Sequence, residues 1–258
     1  MPAPNPGKKS PGVFALALGG ILLLYFLRAH YEVPVLMYHH VQESEGASPN
    51  VRPQTFERQM EFLKTHHYQV VPLADLVRAL RAGKTPSLNT VAVTFDDGNL
   101  DNFTNAFPIL KKMGFPATVF MITGNINQEG WLGEEDLRVL DSSGVTIGSH
   151  TANHAYLPDL GLEEAAAEIR ESKKRLEEIL GHPVTLLSYP AGGFNEAVRA
   201  LAQREGYEGA VTTNHGRKRH DPLALHRIKA TEADGNLFRF WAKTTGFYQM
   251  GKKRVETE

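Results

Sequence analysis

The chain contains no cysteine. Disulfides, thiolate metal sites, cysteine nucleophiles and cysteine-linked lipids are therefore excluded. That absence suits an extracellular setting without requiring one. An excess of charge is also missing: 28 Lys and Arg face 29 Asp and Glu, for a formal net charge of −1. No basic surplus steers the chain toward nucleic acid, and no acidic block marks a solvating tail. Internal repeats and low-complexity segments are absent. Long apolar runs are absent too, with one exception near the N-terminus.

That exception follows Lys8 and Lys9, spans residues 13–27 and is closed by Arg28. A positive start before about fifteen apolar residues fits an export signal. The run is short for a membrane-spanning helix, which needs roughly twenty residues. No clear small-x-small cleavage site follows, so an uncleaved anchor is the second reading and a buried core helix the third. Residues 1–30 are expected to be a signal or membrane-anchor segment, with the lysines inside and residues 31–258 outside. The protein is then expected at the extracellular face of the membrane, or secreted and wall-associated.

The 258 residues suffice for one large α/β barrel or two small domains, and 41% apolar content can fill a sizeable core. From Val33 onward, short apolar runs alternate with amphipathic stretches. Strands are expected at 33–38, 68–71, 90–95, 117–122, 145–148, 184–189, 209–213 and 223–228. Helices are expected at 55–66, 73–81, 102–113, 133–142, 162–180 and 196–205. This alternation predicts a parallel sheet, open or closed into a barrel. The polar stretches 42–53 and 123–131 read as loops rather than linkers, so residues 31–258 form one domain.

Within that order, Thr94-Phe95-Asp96-Asp97-Gly98 places two adjacent carboxylates at the end of an apolar strand. Neighbouring like charges repel, and either loses hydration if drawn into a cleft. The pair makes sense if the side chains diverge, one toward a metal and the other free to handle a proton. His39, His40, His150 and Tyr189-Pro190 also follow expected strands. In a parallel barrel such strand ends open on one face, where active sites form. His150 and His154 are four apart, which on one helical turn puts both on the same side. Two imidazoles and a carboxylate make a three-ligand site suited to Zn²⁺, and also to Fe, Co, Ni or Mn.

Thr94–Gly98, His150–His154 and Tyr189-Pro190-Ala191-Gly192 resemble the first three motifs of the NodB-type polysaccharide deacetylases, carbohydrate esterase family 4. The resemblance runs from about Val33 to Lys229. Val35-Leu36-Met37-Tyr38-His39-His40 and the Tyr-Pro form of the third motif resemble the intercellular-adhesin branch, which deacetylates poly-β-1,6-N-acetylglucosamine. The resemblance implies a single-domain, distorted parallel (β/α) barrel. It implies that Asp97, His150 and His154 hold a divalent metal, zinc foremost, and that Asp96 is the general base. The tetrahedral oxyanion would be held by the metal and a backbone N–H, by position that of Ala191. The partners implied are an extracellular N-acetylglucosamine polysaccharide and, through residues 1–30, a membrane. A monomer is expected. The rival substrates are peptidoglycan and chitin oligosaccharides, and the rival of another class is a glycan-binding protein with a degenerate site.

The last possibility arises because the chain departs from the family pattern. Many relatives carry an arginine two residues before the proline of the third motif, where this chain has Ser188. No tryptophan occurs in 207–221, where a fourth motif often supplies one. The final motif reads Leu223-Ala224-Leu225-His226-Arg227-Ile228. His226 is a candidate general acid, and Arg227 a candidate substitute for the arginine beside Asp96. Strand neighbours face opposite sides, so only one is expected to enter the pocket. If His226 points away, Arg227 is the better active-site residue.

Several further residues carry two readings. His39 touches substrate or water, or is a hydrogen-bonded strand-end histidine. Trp131 stacks on a sugar ring or packs on its own loop. Asn195 reads as a helix N-cap, and His66 and His67 as surface or capping residues. The charges of 163–178 read as a solvated helix face, and Arg217-Lys218-Arg219-His220 as a solvated loop.

Overall fold

Among the described residues, seven main parallel strands, the last of them interrupted, alternate with helices, and a two-residue segment, Gln69–Val70, adds in parallel beside Thr90–Val91. The computed structural model describes residues 11–43, 50–214 and 221–250, so the basic run at 217–220 and Lys8 and Lys9 lie outside the described residues. The strand segments are β1 Val35–Tyr38, β2 Thr90–Phe95, β3 Thr118–Met121, β4 Thr146–Ser149, β5 Leu186–Ser188, β6 Gly209–Thr212, β7 Leu225–His226 and β8 Ile228–Lys229. The helices are α1 Pro11–His30, α2 Pro53–Thr65, α3 Leu73–Arg81, α4 Phe107–Met113, α5 Glu134–Ser142, α6 Leu162–Leu180, α7 Glu196–Arg204 and α8 Leu237–Thr244.

The sheet order is β7-β6-β5-β4-β3-β2-β1-β8, and every pairing in it is parallel. Its two edge segments are halves of one stretch of chain. β7 pairs with β6, with His226 opposite Thr212. β8 pairs with β1, with Ile228 opposite Leu36. Arg227 stands between them, at the seam where the sheet nearly closes into a distorted (β/α) barrel. The expected strand at 223–228 is thus two short ladders, one to each edge.

Strand alternation divides the core. Leu36, Val93, Val119, Ile147, Leu187 and Ile228 pack outward in one cluster under the surrounding helices. Val35, Ala92, Phe120, Leu186, Val211 and Leu225 fill the interior in a second cluster, joined by Leu73, Leu76 and Val77 of α3. This helix closes the amino-terminal end of the barrel. The same inward parity continues upward to Met37, Asp96, His150, Ser188, Arg227 and Lys229. The residues near the carboxyl ends of the strands therefore carry polar chemistry above an apolar floor.

Two local features differ from expectation. The helix expected at 102–113 opens with a wide turn, Asn102–Ala106, before α4 begins. Asn102 uses that turn to donate to the His39 carbonyl (2.7 Å). No element was foreseen beyond 228, yet α8 follows, with Asn236 accepting from the backbone of Phe238 and Arg239. That cap was a readable start signal. The apolar run near the N-terminus lies within the 20-residue helix α1. Its side chains from Leu22 to Tyr25 are more than half exposed. Among the described residues, no helix is long and apolar enough to cross a membrane.

Candidate active site

β2 and β4, which flank β3, deliver the carboxylates and the first imidazole to the barrel mouth. Asp96 continues the inward parity of β2 and is buried, while Asp97 turns into the left-handed region at φ 72°. That turn is what makes two neighbouring carboxylates diverge. Gly98 follows with φ +85°, and a side chain there would run into the sulfur of Met121, so the turn is both conformationally and sterically reserved for glycine.

His150 and His154 meet, but not on a helical turn. Residues 151–156 form a loop in which Thr151 (φ 64°) and His154 (φ 59°) are left-handed. The helical-turn expectation is corrected accordingly: the spacing works through a strained loop. That loop is pinned from α6. Glu168 accepts from the backbone N–H of Asn153 (2.8 Å) and from its side-chain amide (2.7 Å), and the Glu168 carbonyl accepts from Ala152. Ser149 and Ser172 bond to each other at 2.7 Å, and Thr151 N–H donates to Ser149 Oγ. Glu168 and Ser172 were missed because α6 reads in sequence as a solvated charged face. Four of the six non-glycine residues with positive φ among the described residues lie at this mouth: Asp97, Thr151, His154 and Ala191. Such conformations cost about 1–3 kcal/mol each and persist where the surroundings overdetermine them.

The donor atoms of Asp97, His150 and His154 lie within 4.8 Å of one another. Asp97 Oδ1 is 3.5 Å from His150 Nε2 and 3.8 Å from His154 Nε2. These separations suit donors sharing one ion with bonds of about 2.0–2.2 Å. His150 Nδ1 donates to the Ser188 carbonyl at 2.8 Å, which leaves the Nε2 lone pair facing the other donors. Burial pushes His150 below its ordinary pKa against the pull of Asp96 and Asp97, favouring the neutral ring that a ligand requires. The three residues therefore fit a divalent cation.

Asp96 has a different environment. Arg227 is also buried, and its Nη1 and Nη2 donate to Asp96 Oδ1 and Oδ2 at 2.6 and 2.5 Å. The guanidinium lies over the Phe120 ring, 5.6 Å from its centroid. Ser188 Oγ accepts from Nη2 at 2.9 Å, so the residue standing where relatives have arginine instead anchors an arginine from the seam. Burial alone would raise the Asp96 pKa. The Arg227 charge, with His150, outweighs it and holds the carboxyl well below the usual carboxylate range.

These groups border a cavity of about 610 Å³ that also reaches His39, Ala191 and His226. His226 belongs to the opposite strand face from Arg227, yet both border the cavity, which corrects the expectation that only one would enter; His226 also borders small clefts beside Glu32 and Val33. It is not one of the clustered donors, and Arg227 is the side chain that reaches Asp96. Ala191 turns left-handed at φ 52°. Gly192 and Gly193 donate to the Tyr189 and Pro190 carbonyls, while the Ala191 N–H makes no such turn bond among the described residues. His39 is pushed below its ordinary pKa by burial. Its neighbour His40 lies outside the cavity lining and binds Asp101 at 2.7 Å. Trp131 is not in the lining; its backbone bridges Asn99, just beyond the Asp96-Asp97-Gly98 turn. Asn195 caps α7 through Val198 N–H, and His66 caps the end of α2.

Comparison with known proteins accords with this geometry. The sequence profile of the polysaccharide deacetylase family matches residues 83–210. A provisionally named polysaccharide deacetylase of Bacillus subtilis is 36% identical over 202 residues, 78% of this chain and 72% of the relative. The poly-β-1,6-N-acetyl-D-glucosamine N-deacetylase of Staphylococcus aureus is 26% identical over 199 residues, 69% of this chain and 68% of that protein. The solved structure of the Streptococcus pyogenes deacetylase PplD in complex with acetate superposes with a TM-score of 0.75 at 29% identity, covering 81% of this chain and 97% of that one. The barrel, the donor cluster and these likenesses together make the chain a member of the polysaccharide deacetylase family, the NodB-type hydrolases of carbohydrate esterase family 4.

Proposed function

We propose that the protein removes acetyl groups from poly-β-1,6-N-acetylglucosamine outside the cell, using Asp96 as base beside a metal held by Asp97, His150 and His154. The observation that carries this reading is the pairing of Asp96 with Arg227 next to the donor cluster. Likeness to the S. aureus deacetylase supports the substrate. A divalent cation at the cluster, zinc in our reading, would polarise the attacking water and the acetamide carbonyl.

The chain's own residues do the rest. Arg227 occupies both Asp96 oxygens and keeps that carboxylate ionised and oriented, ready to take the water's proton. The water oxygen bonds to the carbonyl carbon, and the Ala191 N–H donates to the oxyanion that forms. The C–N bond then breaks, acetate leaves, and the sugar nitrogen takes up a proton. We assign its delivery to His226, which borders the cavity. His226→Gln is expected to slow turnover about tenfold or more. An unchanged rate would pass the role to the proton held by Asp96.

For location, we propose that residues 1–30 export or anchor the domain and that it works as a monomer. Support comes from the exposed apolar surface of α1 and the lysines before it. Protease added to intact cells should then cleave the domain; full protection in intact cells would contradict the placement. The substrate is tested by acetate release from β-1,6 and β-1,4 N-acetylglucosamine oligomers by the metal-loaded protein. Release from the β-1,6 series is expected, and activity confined to the β-1,4 series would overturn the choice.

A further inference from the structure

By strand order, the seam lies across the barrel mouth from β4, and its side of the cavity is cationic. Lys229 of β8 and Arg239 and Lys243 of α8 all line it. Among the described residues, one carboxylate answers them. Asp234 Oδ2 accepts from Lys243 at 2.7 Å, and Asp234 Oδ1 lies 3.7 Å from Arg239 Nε. Lys243 is further fixed by the Lys229 carbonyl at 2.7 Å. Lys229 is exposed and forms no ion pair among the described residues. Arg227 is already matched by Asp96. Three cations thus share one acid, and the wall keeps a net positive charge.

A neutral acetamido sugar gains nothing from such a wall, but the product of the reaction carries an ammonium group. We propose that Lys229 and Arg239 form an exclusion subsite that disfavours a glucosammonium unit beside the sugar being deacetylated. Acetyl groups are then removed at spaced units rather than in runs, and the reaction limits itself as amines accumulate. The inference rests on the acetylglucosamine reading of the site. Its physics is like-charge repulsion across a cleft whose low-dielectric walls focus the field. The effect acts within about a Debye length of the wall and weakens as salt rises.

Two β-1,6 pentamers test it at mildly acidic pH, where a free amine is protonated. One is fully acetylated, and the other carries a single glucosamine next to its central unit. Acetate release is measured for the native protein and for the Lys229→Gln/Arg239→Gln double variant. The native protein should favour the fully acetylated pentamer about two- to tenfold. That ratio should fall toward one in the double variant, and also in the native protein at about 0.5 M salt. Equal rates in the native protein, or a preference the double variant keeps, would overturn the exclusion subsite while leaving the substrate reading intact. No acetate from either pentamer would remove the substrate reading, and the inference with it.

Discussion

On the β2–β4 side of the cleft, contiguous stretches of chain deliver the chemistry and the backbone itself does the positioning. Asp97, Thr151 and His154 are held in left-handed turns, and Gly98 leaves room for Met121. On the seam side the positioning is done by side chains. Arg227 reaches across from between β7 and β8, and its placement rests on Asp96, Ser188 and Thr94. The first arrangement is stiff and local. The second is assembled from residues about 40 to 130 positions apart. Substitutions on the two sides should therefore fail in different ways: loss of metal on one, and loss of a carboxylate's charge state and of stability on the other.

The largest effect is expected on the donor side. His154→Ala removes one of three donors, and turnover should fall at least about a hundredfold, together with bound metal measured by elemental analysis. Retention of both would break the contrast. Next is Arg227→Met, which leaves the buried Asp96 charge unpaired and should destabilise the fold by about 3–5 kcal/mol at neutral pH. The sign follows from the depressed Asp96 pKa. Stability from this pair is present above the unfolded carboxylate value and is lost as pH falls through the folded one. Urea titrations should therefore show the variant's deficit large near neutrality and shrinking in strong acid. A deficit independent of pH would detach the effect from Asp96.

Ser188→Ala tests a smaller part of the seam. It removes one acceptor for Arg227 but keeps the backbone carbonyl that orients His150, so a loss of about 1 kcal/mol is expected with metal affinity unchanged. Weaker metal binding in that variant would blur the two sides. The smallest effect concerns His40, beyond the cleft, whose pKa is raised by its bond to Asp101. That bond stabilises fully below the unfolded histidine value and is lost as pH rises through the folded one. With the pair partly exposed, His40→Gln should cost only a few tenths of a kcal/mol in mild acid and nothing in alkali, read as a difference in melting temperature.

The same contrast explains what could be read from the sequence. Asp96-Asp97-Gly98 and His150–His154 are short and contiguous, and strand-end placement brings them to one face. The barrel itself follows from strand–helix alternation, because each apolar run needs a helix to cover it. The seam was legible only as a choice between His226 and Arg227. Both border the cavity, and pleat parity decides only which of them reaches Asp96; that parity depends on a register that a two-residue ladder does not advertise. Glu168 was hidden because one carboxylate on a charged helix looks like its neighbours until the loop it holds is in view. The helical reading of His150 and His154 failed because i,i+4 spacing is shared by helices and by tight loops with left-handed residues. Asn236 did announce α8, but no motif drew attention to it.

The division of labour between the two carboxylates is tested most directly by Asp96→Asn, with metal content and acetate release measured on the same preparation. The amide keeps the shape of the carboxylate but cannot take the water's proton. Metal bound as in the native protein, with turnover reduced by about 10²- to 10⁴-fold, is the expected result. Turnover close to native with metal in place would contradict the assignment of Asp96 as the base.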